Sequence, residues 1–398
     1  MKYDFRKIFV SISIIFLSFM IGFYGTRLFY YYKEETKNDK KTYTLIEYIT
    51  KEDNLLNNKL LKEKNNYYFY KDTNNNYLYY SGLMYRILYL NDKSIYAISE
   101  ENITNLKYGI DENYDSSDVK KWLNDIYKTN LNQENLKNIT LLDKDTFNKI
   151  GGKESYVVND DFWVLDKNKA LVIDSNGNLT KTNNYSDFLG IKPVIELNGT
   201  INYITGDGTK ENPYLIENKK INKLKDLYVG EYIKYNNVNL RIIEKNENGI
   251  KVLSLDKLNE KHIFSNYTNV YSLRYRNDLA YYLNNTYINK LNKKDLIKTT
   301  WYIGEYNLSY KDVESKNQNM YIGLLKIGDY FINSIPNSYL ITPSNNEIYI
   351  INNKKMLYIN KINEKLDIYP VFTLNNELTI KSGSGYKNNP YIIGDTNE

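Results

Sequence analysis

Catalysis in this chain would have to come from very few residues. His262 is the only histidine and there is no cysteine. A Ser-His-Asp triad therefore has a single available base, thiol nucleophiles are excluded, and the usual Cys/His zinc sites cannot be assembled. No G-x-S-x-G elbow is present, and His262 sits in an insertion (NEKHIFSNY, 259–267), where it reads as an ordinary loop residue. Glycoside hydrolysis needs only two carboxylates. The best local pair is Asp160-Asp161, ahead of Phe162-Trp163. Neighbours on an extended chain point to opposite faces, so the pair reads as a solvated turn rather than a shared site. The segment GDGTKENP (206–213) has the outline of a phosphate or calcium loop, but lacks both the Gly-Lys-Ser/Thr ending and the spaced acidic ligands. No cofactor and no metal are expected. Stacking remains: Trp163, Trp301, Tyr302 and Tyr339 could face a sugar ring, although packing in a core is the plainer reading.

The elements that position these residues come in two copies. IKPVIEL (191–197) and GDGTKENPYLI (206–216) return as IYPVFTL (368–374) and GSGYKNNPYII (383–393), both at an offset of 177. YRIL (85–88) matches LRII (240–243), and IYAIS (95–99) matches IKVLS (250–254), both at 155. Trp122-Leu123-Asn124 matches Tyr282-Leu283-Asn284 at 160. Order is kept throughout, and the spacing is too long for a solenoid, so each unit is expected to hold its own core. Each copy should open with a hairpin (77–90 and 232–243), followed by a helix. In the first copy Ser116 or Ser117 caps that helix, which places Val119, Trp122, Leu123 and Ile126 on one face. Each copy closes with a strand bearing Pro193 or Pro370, then a turn on Gly206 and Gly208 or Gly383 and Gly385, then a Pro213-Tyr214 or Pro390-Tyr391 strand. Proline lacks a backbone donor, so the strands of Pro193 and Pro370 are expected at a sheet edge or only partly paired. Arg86 and Arg241 recur at equivalent strand positions, where a structural ion pair is expected.

Composition sets the surroundings. Among 398 residues there are 43 tyrosines, and the abundance of Tyr, Asn, Lys and Ile follows AT-rich codon usage as readily as any function. Net charge is +5, but residues 1–41 hold eight Lys or Arg against four Asp or Glu, leaving 45 basic and 44 acidic groups beyond them. A nearly neutral remainder lacks the basic footprint of a nucleic-acid-binding protein. Residues 8–26 carry no charge and follow Lys2, Arg6 and Lys7, so they read as an uncleaved transmembrane anchor in the lipid bilayer. The N-terminus (1–7) is placed inside and the large C-terminal part outside, although five basic residues also follow the span. Residues 33–76 read as a stalk, 77–217 as the first repeat domain and 227–394 as the second.

Several of these motifs together resemble a family of anchored surface proteins of low-GC Gram-positive bacteria that carry a duplicated domain of unknown function. The resemblance lies in NNNYLYYSGLMYR (74–86), WLND (122–125), TWYIGEYN (300–307), IGD (327–329), YLITP (339–343) and both closing motifs. Members usually carry Trp before the strand arginine and Arg before the late proline. Here Tyr85 or Leu240 takes the first place, and Lys192 or Tyr369 the second. The domain is also distantly similar to the C-type-lectin-like fold shared with formylglycine-generating enzymes. That resemblance implies a binding role only, because those enzymes need cysteine.

The expectation is an α+β protein of the cell membrane: an N-terminal transmembrane helix, then two tandem mixed α/β domains of C-type-lectin-like type outside the cell. It is expected to act without catalysis, on cell-wall glycan or a surface protein. An envelope hydrolase using paired carboxylates and a purely structural surface protein are the alternatives.

Overall fold

The computed structural model describes residues 42–51, 60–305, 310, 316–352 and 357–394. Among them the protein is α+β, mostly sheet with a few short helices, and the sheets fall into two groups, one per copy. In the first copy Tyr77–Tyr80, Leu83–Asn91 and Ser94–Ser99 form an antiparallel meander. Its first turn, Ser81-Gly82, has positive φ at both positions, the geometry that matches the right-handed twist of the flanking strands. Val194–Asn198 joins Ser94–Ser99, Leu136–Thr140 joins Val194–Asn198, and Tyr214–Leu215 runs parallel to Tyr77–Tyr80. The second copy repeats this plan with Tyr232–Tyr235, Val238–Asn246, Gly249–Ser254, Val371–Leu374, Leu296–Ile297 and Tyr391–Ile393.

The repetition extends to register. Tyr85 pairs with Ser99 as Leu240 pairs with Ser254, and Val194 with Ile98 as Val371 with Leu253. Tyr214 lies beside Leu78 as Tyr391 lies beside Ile233. Both meanders carry a bulge at the same place, between Ile87 and Tyr89 and between Ile242 and Glu244. The expected helix is present at Asp118–Trp122, where the Ser117 hydroxyl accepts from the Lys120 N–H at 3.0 Å. Val119, Trp122 and Leu123 are buried. Leu279–Asn285 is its counterpart.

Three expectations are corrected. The strands that follow Pro193 and Pro370 are interior, paired on both sides, not edge strands. Each proline stands just before its ladder begins, where no donor is needed, and its carbonyl accepts from Ser99 N or Ser254 N at 2.9 Å. The described part of the segment read as a stalk is packed into the body. Leu45 and Ile49 of the Leu45–Ile49 helix are fully buried, Tyr48 stacks on Tyr203 at 3.8 Å, and Asn66–Phe69 extends the first sheet. An amphipathic run finds an apolar surface within reach, and burial favours docking. Nor are the cores separate: one apolar cluster runs through both copies, and Thr44–Glu398 forms a single compact unit.

The seam between the copies is specific. Trp122 donates its indole N–H to Gly328 O at 3.0 Å, and Tyr330 lies 5.6 Å from the Trp122 ring and 6.1 Å from that of Tyr127. Phe331 N donates to Ile103 O at 2.6 Å. Residues 8–26 lie outside the described residues, and among those described no helix is long and apolar enough to cross a membrane.

Candidate ligand cleft between the copies

Each copy buries one arginine between two aromatic rings. The Arg86 guanidinium carbon lies 4.0 Å from the Tyr77 ring centroid and 4.5 Å from that of Tyr156; for Arg241 the rings are Tyr232 at 4.6 Å and Phe331 at 3.3 Å. Tyr77 and Tyr232 are equivalent at the 155 offset. Arg86 is saturated inside its own copy: it donates to Asn76 Oδ1 at 2.6 Å, Tyr77 Oη at 3.1 Å and Thr73 O at 2.5 Å. Glu100 stands 3.6 Å away, and Lys210 of the glycine turn bridges to Glu100 at 3.7 Å.

Arg241 is satisfied differently. Its Nε donates to Gly230 O at 3.1 Å, while Nη1 and Nη2 both reach Glu101 of the other copy, the first at 3.1 Å. This forked pair stands in the wall of a cleft of about 550 Å³ between the copies. The first copy contributes Glu101, Asn102 and Asp160 to that wall; the second contributes Tyr232, Arg241, Asp256, Asn333 and Lys387. Lys387 is the counterpart of Lys210, so the lysine of each glycine turn lies near its copy's arginine site. Phe331 holds a left-handed φ of +65°, a conformation that costs a non-glycine residue about 1–3 kcal/mol and is held here by its bond to Ile103.

Partial burial opposes the charge on Glu101, and the facing Arg241 guanidinium outweighs it, holding the carboxyl below the usual range. Asp256 accepts from Asn239 N at 2.8 Å. Behind the cleft, Lys192 is buried with Nζ 3.0 Å from both Val157 O and Asn159 Oδ1. Burial pulls its amine down to about 8, against the opposing fields of Glu100 and Asp160. The Asn102 amide lies across Gly190, where a Cβ would fall 2.1–2.5 Å from it. Among the described residues the amide oxygens of Asn102 and Asn333 are buried without a hydrogen-bond partner.

The aromatic candidates lie elsewhere. Trp163 and Trp301 are buried and donate to Leu106 O and Met320 O at 3.0 and 3.1 Å; Tyr339 is buried with its hydroxyl on Lys361 O at 3.2 Å. Trp301 and Tyr302 border a smaller hollow of about 280 Å³ with Glu244, Lys251, Lys326 and Asp329. The Asp160-Asp161 pair lies just before the Phe162–Asp166 strand and divides: Asp160 faces the cleft, and Asp161 accepts from Ser175 N at 2.7 Å. His262 exchanges backbone hydrogen bonds with Leu366 and lays its ring 4.2 Å from that of Tyr282, outside the cleft wall. The architecture of the turns repeats between the copies: a Cβ on Gly206 or Gly383 would fall 2.0 or 2.2 Å from the carbonyl oxygen of Pro213 or Pro390. A Cβ on Gly208 or Gly385 would fall 2.5 or 2.6 Å from the ring of Tyr214 or Tyr391.

Glu101, Asn102, Asp256, Asn333 and Lys387 were not singled out by sequence. Two signals mark part of the set: Glu101 aligns with Asp256 at the 155 offset, and Lys210 with Lys387 at 177. No protein-family model, curated protein or solved structure matches the chain.

Proposed function

We propose that the chain is a membrane-anchored bacterial surface protein that binds a polar ligand without turning it over, in the cleft its two copies build together. The observation that carries this reading is the cleft wall, drawn from both copies and lined by charged and amide side chains. Its volume is in the range of small-ligand sites. The uncharged residues 8–26 support anchoring. Cell-wall glycan is the ligand class best suited to planar amides, carboxylates and an arginine.

A hydrolase reading draws on the three carboxylates that face one cleft. Glu101 is tied to Arg241 and Asp256 to Asn239, which leaves Asp160 without a free second carboxylate. The deciding experiment incubates the full chain with purified cell-wall glycan and follows binding and product release on the same samples. Saturable binding without product supports the module; released fragments replace it with the hydrolase.

A further inference from the structure

Among the described residues Lys192 is the one lysine buried in the core, 1% exposed. A buried ammonium is ordinarily held by a carboxylate. Among the described residues none forms an ion pair with this one: Glu100 is tied to Arg86 and Lys210, and Asp160 acts on the amine through its field at longer range. Nζ instead meets two carbonyl oxygens, Val157 O and Asn159 Oδ1, each at 3.0 Å, with the Phe162 ring 5.2 Å away. Desolvation without an ion pair favours the neutral amine. Its pKa falls to about 8, so at pH 8 about half the population carries a free lone pair.

The contact with Asn159 sets that nucleophile against a carboxamide. The carbonyl carbon lies one C=O bond, about 1.23 Å, beyond Oδ1, so it is within about 4.2 Å of Nζ. A small side-chain rotation reaches the attack distance of about 3–3.5 Å. The carboxamide is held at both ends, because Nδ2 donates to Glu100 O at 3.1 Å. Asn159 is otherwise exposed, which gives a departing nitrogen a route to solvent.

We propose that Lys192 and Asn159 join in an intramolecular isopeptide bond. The neutral amine adds to Cγ of Asn159 and forms the Nζ–Cγ bond; the Cγ–Nδ2 bond breaks, and one amine proton passes to Nδ2, which leaves as ammonia. Nothing is oxidised or reduced. Glu100 and Asp160, whose fields reach the amine, are the carboxylates placed to relay the proton. The product ties the loop before the Phe162–Asp166 strand to the residue before Pro193, 33 positions along the chain. At the offset of 177 the second copy carries Pro336 for Asn159 and Tyr369 for Lys192, so one bond per chain is expected.

The test is intact-mass spectrometry of the full chain, held at pH 8 and then denatured, followed by proteolytic mapping. The expected mass is lower than the sequence mass by one ammonia, with a branched peptide that joins the Asn159 and Lys192 segments. Lys192→Arg keeps the charge without a comparable nucleophile, and Asn159→Ala alters an exposed position. Each variant, with native-like circular dichroism, should show its full sequence mass and no branched peptide. The full sequence mass in the unaltered chain would overturn the proposal. So would an ammonia loss that survives Lys192→Arg, the signature of a succinimide at Asn159-Asp160, or a branch from Lys192 to any other residue.

Discussion

Arg241 is held by a carboxylate from the other copy, and that partner can be removed without touching the core. Glu101→Gln leaves a buried guanidinium facing a neutral amide. Because the Glu101 side chain is 46% exposed, water screens part of the loss, and about 1–2 kcal/mol of stability should disappear in urea unfolding. Glu231, 3% exposed at the seam, makes a different prediction. It accepts from Tyr228 N at 2.6 Å and from the Tyr79 hydroxyl at 3.3 Å, and burial raises its carboxyl to about 7, well above the ordinary value near 4.5. A raised carboxyl means that the folded state holds the proton more tightly than the unfolded chain. Its stabilising contribution is fully present below pH 4.5 and is lost as pH rises through 7, a change of about 3 kcal/mol. Glu231→Gln should flatten that dependence when unfolding free energy is measured between pH 5 and 8. The two strand arginines were legible because they recur at a fixed offset. Their partners were not: Arg241 and Glu101 are 140 residues apart and belong to different copies, and no local pattern encodes a contact made only after two domains pack.

Turns and strands show the same division at the next scale. The glycine turns were readable because the residue type reports the backbone: Gly206 and Gly383 have φ of +101° and +104°, and neither has room for a side chain beside the proline carbonyl. Gly383→Ala should therefore cost about 2–4 kcal/mol, from strain and overpacking together, as read from the denaturation midpoint. The proline-headed strands were misplaced because proline was taken to weaken the whole strand, whereas one residue of offset puts it outside the ladder. The matched bulges were invisible, since their sequences, Ile87-Leu88-Tyr89 and Ile242-Ile243-Glu244, carry no glycine or other marker. Repetition itself was legible, but the docking of the Phe331–Ser334 segment on the first copy was not, because a helix face such as that of Trp122 looks the same in sequence whichever partner covers it.

Packing between the copies governs the behaviour of the whole molecule. With Trp122, Tyr127 and Tyr330 sharing one cluster, residues 44–398 should unfold in a single calorimetric transition, with equal van't Hoff and calorimetric enthalpies. Two resolved transitions would show that the seam contributes little. In each copy the closing strand lies parallel to the opening one, Tyr214–Leu215 beside Tyr77–Tyr80 and Tyr391–Ile393 beside Tyr232–Tyr235. The chain therefore enters and leaves each copy at opposite ends of a ladder. A lengthwise pull would load those hydrogen bonds in shear, all at once, instead of unzipping them singly, so each copy resists tension along the direction in which a tethered chain would be stretched.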